Sequence, residues 1–468
     1  MQAPSSSQPA TRVPLAILGV PFDNVTSDEA LELVGEMIAT GQPHYGAIVS
    51  VDFIVQAVKD VELRRILFDA HLVLANETPI IWASKLLGNP LPERVAGAAM
   101  IPPLLALAEQ KGWKVFFLGG AEQSLAAAAE KARLRYPQLR LVGAYAPPLK
   151  PLLEMNHADI LRRIREVKPD ILLVALGCPR QEKWINMHYR DTGVPFSMGV
   201  GETIDFLDDT FKRGKIWRIG RCARSFCAFI FPVLKQWWRL RTKKPALPGI
   251  ETGVMPDTSG NFSIQSPVRL GATEVLSVRA EWLRTVENGH VMLDLSQTLF
   301  MDSTGIGLLI RLRKRARELG YQFFLIAPTP PVEAALKMMK LDEFFSIQTS
   351  VAGARFLIEN LARAPLVASS VQEQELHIRW NGEVTALNAI EVGAYTESEL
   401  TQAAPGSTVV IDLSRVGFMD STGIGLLLRF KKNFKRRNIT LKVVRPIASV
   451  RNVLRHTRLE EYLLGYVK

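Results

Sequence analysis

Two stretches of this 468-residue chain carry the same ten residues in a row. VMLDLSQTLFMDSTGIGLLIRLRKRARELG (291–320) aligns with VVIDLSRVGFMDSTGIGLLLRFKKNFKRRN (409–438), and FMDSTGIGLL is identical in both, starting at Phe300 and at Phe418. Composition does not produce a shared decamer; duplication of a folded unit does. Units of about 100 residues are too long for one solenoid repeat and suit independent small domains, predicted here over 259–365 and 375–467. In each copy an apolar strand (VMLDL, VVIDL) leads through FMDSTGIG into a basic amphipathic helix. Ser303 or Thr304, and Ser421 or Thr422, are expected to cap the first helical turn through their hydroxyls. Gly305, Gly307, Gly423 and Gly425 permit close backbone approach at that point. Ser303 and Ser421 are expected to face a partner rather than the core.

Upstream, over 13–210, the pattern changes. Continuous apolar runs at 16–20 (AILGV), 45–51, 71–75, 114–120, 140–145, 170–177 and 195–201 alternate with helical patterns such as SDEALELVGEMIATG and HADILRRIREV. Buried strands alternating with amphipathic helices predict a Rossmann-like, doubly wound parallel α/β sheet. Ligands bind such sheets beyond the carboxyl ends of the strands. Polar or glycine positions fall there: Ser50 and Asp52, Asn76 and Glu77, Gly119 and Gly120, Gly177 to Glu182, and Gly199 to Asp205. GCPRQEKW (177–184) opens a helix, where backbone amides suit a diphosphate and Gln181 can bond a sugar or base. Arg94, in LPERVAG, is a candidate ligand for an anion.

Charge separates a third region. Residues 1–210 carry a net charge of −4 and 245–468 a net +4, so the formal +11 lies in 211–244, FKRGKIWRIGRCARSFCAFIFPVLKQWWRLRTKK, which has eleven Lys/Arg and no acid. Aromatic residues among cations predict an interfacial helix on an anionic membrane surface. Nucleic acid is the rival partner for a basic patch, but no reader motif accompanies this one. A Pro- and Gly-rich linker is expected at 245–258. A composition of 47% hydrophobic and 22% charged residues excludes a mainly disordered or multi-span membrane protein. Three cysteines (Cys178, Cys222, Cys227) give neither a disulfide framework nor a zinc site and fit a reducing compartment. The first twenty residues lack a basic start followed by an apolar run, which predicts no signal peptide and a cytoplasmic protein.

The strand–FMDSTGIG–helix string resembles the central motif of STAS domains, the anti-sigma-factor antagonist fold. That resemblance implies two small α/β binding domains whose phospho-acceptors map onto Ser303 and Ser421, beside Asp302 and Asp420, with an anti-sigma-factor-like or serine-kinase-like protein as partner. Thr304 and Thr422 replace a serine frequent in the family. Over 13–240, LVLANETPIIWASKLLGNPLPERVAG, FFLGG, GCPRQEKW, GVGETIDF and the basic tail, in that order, resemble the WecG/TagA/CpsF-type glycosyltransferases (glycosyltransferase family 26). The resemblance implies an inverting transferase needing no metal or other cofactor, which moves an N-acetylhexosamine from a UDP-sugar to a lipid-diphosphate-linked acceptor at the inner face of the membrane. It makes Ser50, Arg94, Gly119, Gly120, Gly177, Gln181, Glu182 and Asp205 candidate substrate ligands, and Arg213, Arg218, Arg221 and Arg224 a candidate lid over the diphosphate.

The chain departs from that family at polar positions. An aspartate expected after the third strand is Asn76, followed by Glu77; Thr-x-Asn is replaced around Ser50, with Asp52 retained; and the tail motifs read Arg213-Gly214-Lys215 and Gly220-Arg221-Cys222-Ala223. An amide cannot accept a proton at neutral pH, which leaves Glu77 or Asp52 as the base. Two functions stay open: a transferase of surface-polysaccharide assembly regulated through its STAS domains by phosphorylation or partner exchange, and a non-catalytic scaffold or sensor that binds a sugar nucleotide. A homo-oligomer is also left open.

Overall fold

The structure, a computed structural model, describes residues 15–201, 215–241, 253–257, 260–361, 365–372, 375–400 and 406–465; within 215–241 it describes side chains from Ser225 to Trp238. The run at 16–20, expected to be one strand, is instead split by a turn. β1 (Leu15–Ile17) and β2 (Val20–Phe22) pair antiparallel because Leu18 and Gly19 adopt φ of 50° and 83°. After α1 (Ser27–Ala39), closed by a Thr26/Glu29 capping box, come β3 (His44–Val49), α2 (Val51–Lys59), α3 (Val61–Asp69), β4 (Leu72–Ala75), α4 (Thr78–Leu86), α5 (Gly97–Lys111), β5 (Lys114–Gly119), α6 (Glu122–Arg135), β6 (Arg140–Tyr145), α7 (His157–Val167), β7 (Ile171–Ala175), α8 (Arg180–Thr192) and β8 (Phe196–Gly199).

β3 to β8 form one parallel six-stranded sheet in the order β4-β3-β8-β7-β5-β6. Both faces are covered, as the apolar runs require: Val115 and Phe117 of β5 join one core, Phe116 and Leu118 the other. The connections after β3 and after β5 run in opposite directions across the sheet, which opens a crevice at the carboxyl ends of the central strands.

The basic segment forms α9 (Lys215–Arg241), with Pro232 inside it. One face packs back on the domain. Phe229 and Val233 are fully buried against α2 and α4, and the Gln236 amide bonds the Ala16 carbonyl and the Leu18 N–H, each at 3.1 Å. The opposite edge leaves Phe231 70% and Trp238 61% exposed, with Leu234 between them. No helix among the described residues is long and apolar enough to cross a membrane.

The first repeat unit contains β9 (Val254–Pro256), β10 (Phe262–Gln265), β11 (Arg269–Leu270), α10 (Ala272–Val286), β12 (Val291–Asp294), β13 (Phe300–Met301), α11 (Ser303–Glu318), β14 (Phe323–Ile326), α12 (Pro330–Met338), β15 (Ser346–Gln348) and α13 (Val351–Leu361), with a sheet ordered β15-β14-β12-β10-β9. The second contains β16 (Val367–Gln372), β17 (Glu375–Val384), α14 (Ala389–Glu399), β18 (Thr408–Met419), α15 (Ser421–Arg436), β19 (Thr440–Val444), α16 (Ala448–His456) and α17 (Glu460–Leu464), with a sheet ordered β16-β17-β18-β19. Two segments set outside these units on composition are strands: β9 lies in the expected linker, and β16 before residue 375. Each adds an antiparallel edge to its sheet.

The shared decamer does the same local work twice, though not through the expected hydroxyls. Asp302 caps α11 by accepting the Thr304 and Gly305 N–H groups (2.8 and 3.0 Å), and Asp420 caps α15 through Thr422 and Gly423 (2.8 and 3.1 Å). A carboxylate at that position also suits the helix dipole. The first glycine of each motif is forced by proximity: a Cβ on Gly305 would sit 2.2 Å from the Leu270 carbonyl oxygen, and one on Gly423 2.7 Å from that of Val384.

Candidate functional site

Strand register brings the singled-out positions together. Val49 pairs with Ala75, Ala47 and Val174 with Gly199, and Gly119 with Ala175. Ser50, Asn76, Gly120, Gly177 and Gly201 therefore follow adjacent strand ends on one edge of the sheet. Four helices, α2, α4, α6 and α8, start there, so four positive dipole ends converge on one crevice. Such an edge suits a diphosphate. Gly119 and Gly120 take φ of 101° and 79°, and the space a Gly177 side chain would fill is open.

Asn76, at the expected base position, and the two base candidates, Asp52 and Glu77, differ in how far they are committed. The Asn76 Oδ1 accepts the Gly97 N–H at 3.2 Å and so holds the start of α5. Both Asp52 oxygens are bonded, one from Gln56 Nε2 (2.8 Å) and one from Ser225 Oγ on α9 (2.9 Å). Glu77, half-buried at the N-cap of α4, accepts the Val51 N–H with Oε2 at 3.0 Å. Its carboxylate is thereby carried to the start of α2. Ser50 caps that helix, its Oγ accepting from Phe53 N–H.

GCPRQEKW begins α8 as predicted, but Gln181 does not face a ligand. It is buried; its Oε1 accepts the Gly201 N–H (3.0 Å) and its Nε2 donates to Glu182 Oε1 (2.6 Å). The pair presses on β8: a Cβ at Gly199 would lie 2.6 Å from both side chains. Burial pushes the Glu182 carboxyl up to about 7. Gln181 and Glu182 therefore brace the loop after β8. Arg94 is exposed in the loop before α5, while Glu93 beside it accepts the Ser27 N–H. Asp205 and Arg213 lie outside the described residues, as do the side chains of Arg218, Arg221 and Arg224. Among the described residues no group of three or more His, Cys, Asp or Glu is placed to hold a metal ion.

Comparison with known proteins matches three segments of the chain. Residues 15–218 match the family model for the glycosyl transferase WecG/TagA/CpsF family, and residues 260–354 and 368–467 each match the STAS domain. The chain joins a WecG/TagA/CpsF-family transferase domain to two STAS domains. The transferase part is similar to an N-acetylglucosaminyldiphosphoundecaprenol N-acetyl-beta-D-mannosaminyltransferase of Staphylococcus aureus strain MW2, 27% identical over 227 residues, which are 48% of this chain and 85% of that protein. It is equally identical, over 199 residues (42% of this chain, 76% of that protein), to the enzyme of the same description from strain NCTC 8325. Among solved structures, a STAS domain protein from Planctomyces limnophilus is similar over 24% of this chain and 99% of its own, at 24% identity and a TM-score of 0.22.

The STAS serines do not face solution. Ser303 is 0% and Ser421 2% exposed, which corrects the expectation for both. Helix α3 of the transferase domain lies between the two STAS domains and meets both. Its carboxyl end meets the first: Phe68 stacks on Phe344 with ring centroids 5.6 Å apart, Asp69 pairs with Arg317, and Lys314 donates to the Ala70 carbonyl. Its amino end meets the second: Glu62 Oε1 accepts the Ser421 N–H. Between them Arg65 bonds Asp69 within α3 (2.8 Å) and Glu383 of β17 (2.9 Å), and Arg317 adds a contact to Glu383 at 3.4 Å. Burial alone would raise the Asp69 carboxyl, but Arg317, Arg65 and Arg313 hold it well below the usual range.

Glu62, Arg64, Arg65 and Lys183 were not singled out in the sequence. A signal was there: VELRRILFD places Glu62, Arg65 and Asp69 on one side of α3 and Leu63, Ile66 and Leu67 on another, with Arg64 next to Phe68, and the structure buries Val61 to Phe68. Such a helix is buried only where its charges find partners.

Proposed function

We propose that the chain is an inverting glycosyltransferase that moves an N-acetylhexosamine from a UDP-sugar to a lipid-diphosphate-linked sugar, with Glu77 as the base. The observation that carries this reading is one carboxylate, Glu77, held at a sheet edge where four helix starts converge. In the reaction the acceptor hydroxyl oxygen forms a bond to the sugar C1 while the bond from C1 to the diphosphate oxygen breaks. UDP leaves with that electron pair, stabilised by helix N-termini, and the hydroxyl proton passes to Glu77. The activity named for the staphylococcal relatives belongs to this class. A metal-free site is part of the proposal.

A second reading, a domain that binds the sugar nucleotide without transfer, draws support from Asn76, whose amide is tied to Gly97. UDP release from UDP-N-acetylhexosamines with a lipid-diphosphate acceptor, in EDTA, separates the two. The transferase reading expects turnover by the wild type and a loss of about 10²–10⁴-fold in Glu77→Gln. Tight UDP binding with no release in any donor–acceptor pair would favour the second.

Membrane attachment belongs to the same proposal. Phe231, Leu234 and Trp238 recur at helical spacing along the exposed edge of α9, and Trp82, 58% exposed, lies on α4, which packs against α9. Cations around such an apolar stripe suit an anionic interface. Phe231→Ser with Trp238→Ser leaves the packed face intact and is expected to release the protein from anionic vesicles. Unchanged sedimentation would refute the assignment. The STAS domains are proposed to regulate the transferase, as modules that exchange partners.

A further inference from the structure

The acceptor-serine end of the second STAS domain is covered by the transferase domain itself, and the contact does not stop at the interface. Glu62 accepts the Ser421 N–H with one carboxylate oxygen and pairs through the other with Lys183 Nζ at 2.7 Å. Lys183 also pairs with Asp60 at 2.8 Å, and Asp60 caps α3 by accepting the Leu63 N–H. Lys183 stands on the first turn of α8, one residue after Glu182 and two after Gln181, the pair that braces the loop after β8. One turn further on, Asn186 Nδ2 reaches Asp420 Oδ2 at 3.3 Å. The cap of α15 thus touches the α8 helix that opens at the candidate donor site.

We propose that the Ser421 end of the second STAS domain is a docking surface for this chain's own transferase domain, and that the Ser421–Glu62–Lys183 chain couples docking to the first turn of α8. Lys183 is then a positioning residue, and the partner regulating the site is carried in the same polypeptide. The proposal rests on the donor-site reading of α8 for its functional consequence but not for its structural one.

Physical reasons make the contact breakable. Two carboxylates, Asp60 and Glu62, share one ammonium, Lys183, and the Asp420 carboxyl faces the Glu62 charge, in a place where Glu62 is 2% and Asp420 2% exposed. Burial first, and the Glu62 charge second, push the Asp420 carboxyl up to about 6. Undocking returns water to both carboxylates but leaves Lys183 and Asp60 together within the transferase domain. A change at position 421 therefore acts first on Glu62, then on the groups that Glu62 holds.

The test uses the full chain and hydrogen exchange at the α8 amides of residues 180–186. Ser421→Pro removes the donated N–H at the first position of α15, where proline is favoured, and Asp420 before it is already extended (φ −95°, ψ −176°). Ser421→Ala keeps that N–H and is the control. Glu62→Gln breaks the link from the other side. The expected result is exchange about tenfold faster across 180–186 in Ser421→Pro and Glu62→Gln, and wild-type exchange in Ser421→Ala. Wild-type exchange in both breaking variants would overturn the coupling. UDP titration runs beside it, with affinity expected to fall about tenfold in the two breaking variants, equivalent to about 1.4 kcal/mol. If the wild type binds no UDP, the donor-site reading fails while the exchange result still judges the coupling.

Discussion

In the first STAS domain the helix begun by FMDSTGIGLL makes its charged contacts to the transferase domain from its second half, by Arg313, Lys314 and Arg317; in the second, the equivalent helix hydrogen-bonds that domain from its first residue, Ser421. The decamer is the same, so the docking geometry is set by the residues beyond it in each helix. The positions corresponding to Arg313 and Arg317 are Lys431 and Lys435 in the second copy. Lys431 turns back to the Tyr462 carbonyl of its own domain, and Lys435 is exposed. Two guanidinium forks can share Asp69 and Glu383 in a partly buried cluster, where an ammonium offers a single strongly hydrated point charge. The cost of that cluster is visible at Arg313, whose guanidinium burial drives down to about 9. An identical motif can thus serve two interfaces, provided the flanking charges differ.

The largest effect expected from breaking this contrast is at Arg317. Arg317→Ala strands Asp69 and Glu383 with fewer cations and is expected to cost about 3 kcal/mol in denaturant unfolding. The equivalent change in the second copy, Lys435→Ala, removes an exposed charge and should stay within about 0.5 kcal/mol. Equal losses would mean that the arginine cluster does not distinguish the copies.

The second effect is at the serines. Ser303→Asp puts a charge where the native hydroxyl is fully buried with no bonding partner, and a loss of about 2 kcal/mol in the first STAS domain is expected by thermal unfolding. Ser421→Asp places a carboxylate against Glu62 and Asp420 and should cost less, since undocking relieves it. An unaltered melting temperature in Ser303→Asp would show that the buried hydroxyl site tolerates a charge.

Those serines mark where the sequence stopped being legible. The parallel sheet was readable because its strands are buried on both faces and so appear as unbroken apolar runs. The decamer was readable because identity needs no structural knowledge. Contact between distant segments could not be read: that Asp302 and Asp420, not the hydroxyls beside them, cap the helices; that Gln181 and Glu182 turn under β8; and that α3 supplies Glu62 to Ser421 across the chain. Each depends on which neighbour reaches a polar atom first, and residue order does not encode that directly. The split of residues 16–20 failed for a more local reason, since Leu18 holds a positive φ that its type seldom adopts.

The pH response should separate the copies more finely. Burial raises the carboxyls of both Asp302 and Asp420, and Asp420 also faces the Glu62 carboxylate of the transferase domain, which itself pairs with Lys183, and the Asn186 amide. A carboxyl raised from 3.8 to about 6 holds its proton more tightly in the docked state. Its contribution to docking is therefore full below about pH 4 and is lost as pH rises through about 6. Asp69 and Glu383 are lowered, so the cluster they form is present above their unfolded values and fails as acid protonates them. Docking of the second domain should be tightest near pH 5 and loosen toward pH 7, seen as a fall in protection at 180–186 relative to the intrinsic exchange rate at each pH. The first domain should show no such neutral-side change.

The central claim, that identical motifs make different contacts, is tested most directly by a pair of double-mutant cycles on the full chain. One combines Glu62→Gln with Ser421→Asp, the other Glu62→Gln with Ser303→Asp, and unfolding free energies give the coupling in each. Contact between Glu62 and position 421 predicts that neutralising Glu62 relieves the added charge there, with a coupling of about 1 kcal/mol or more, and that position 303 couples to it by less than about 0.5 kcal/mol. Equal coupling in the two cycles, or none at position 421, would contradict the account.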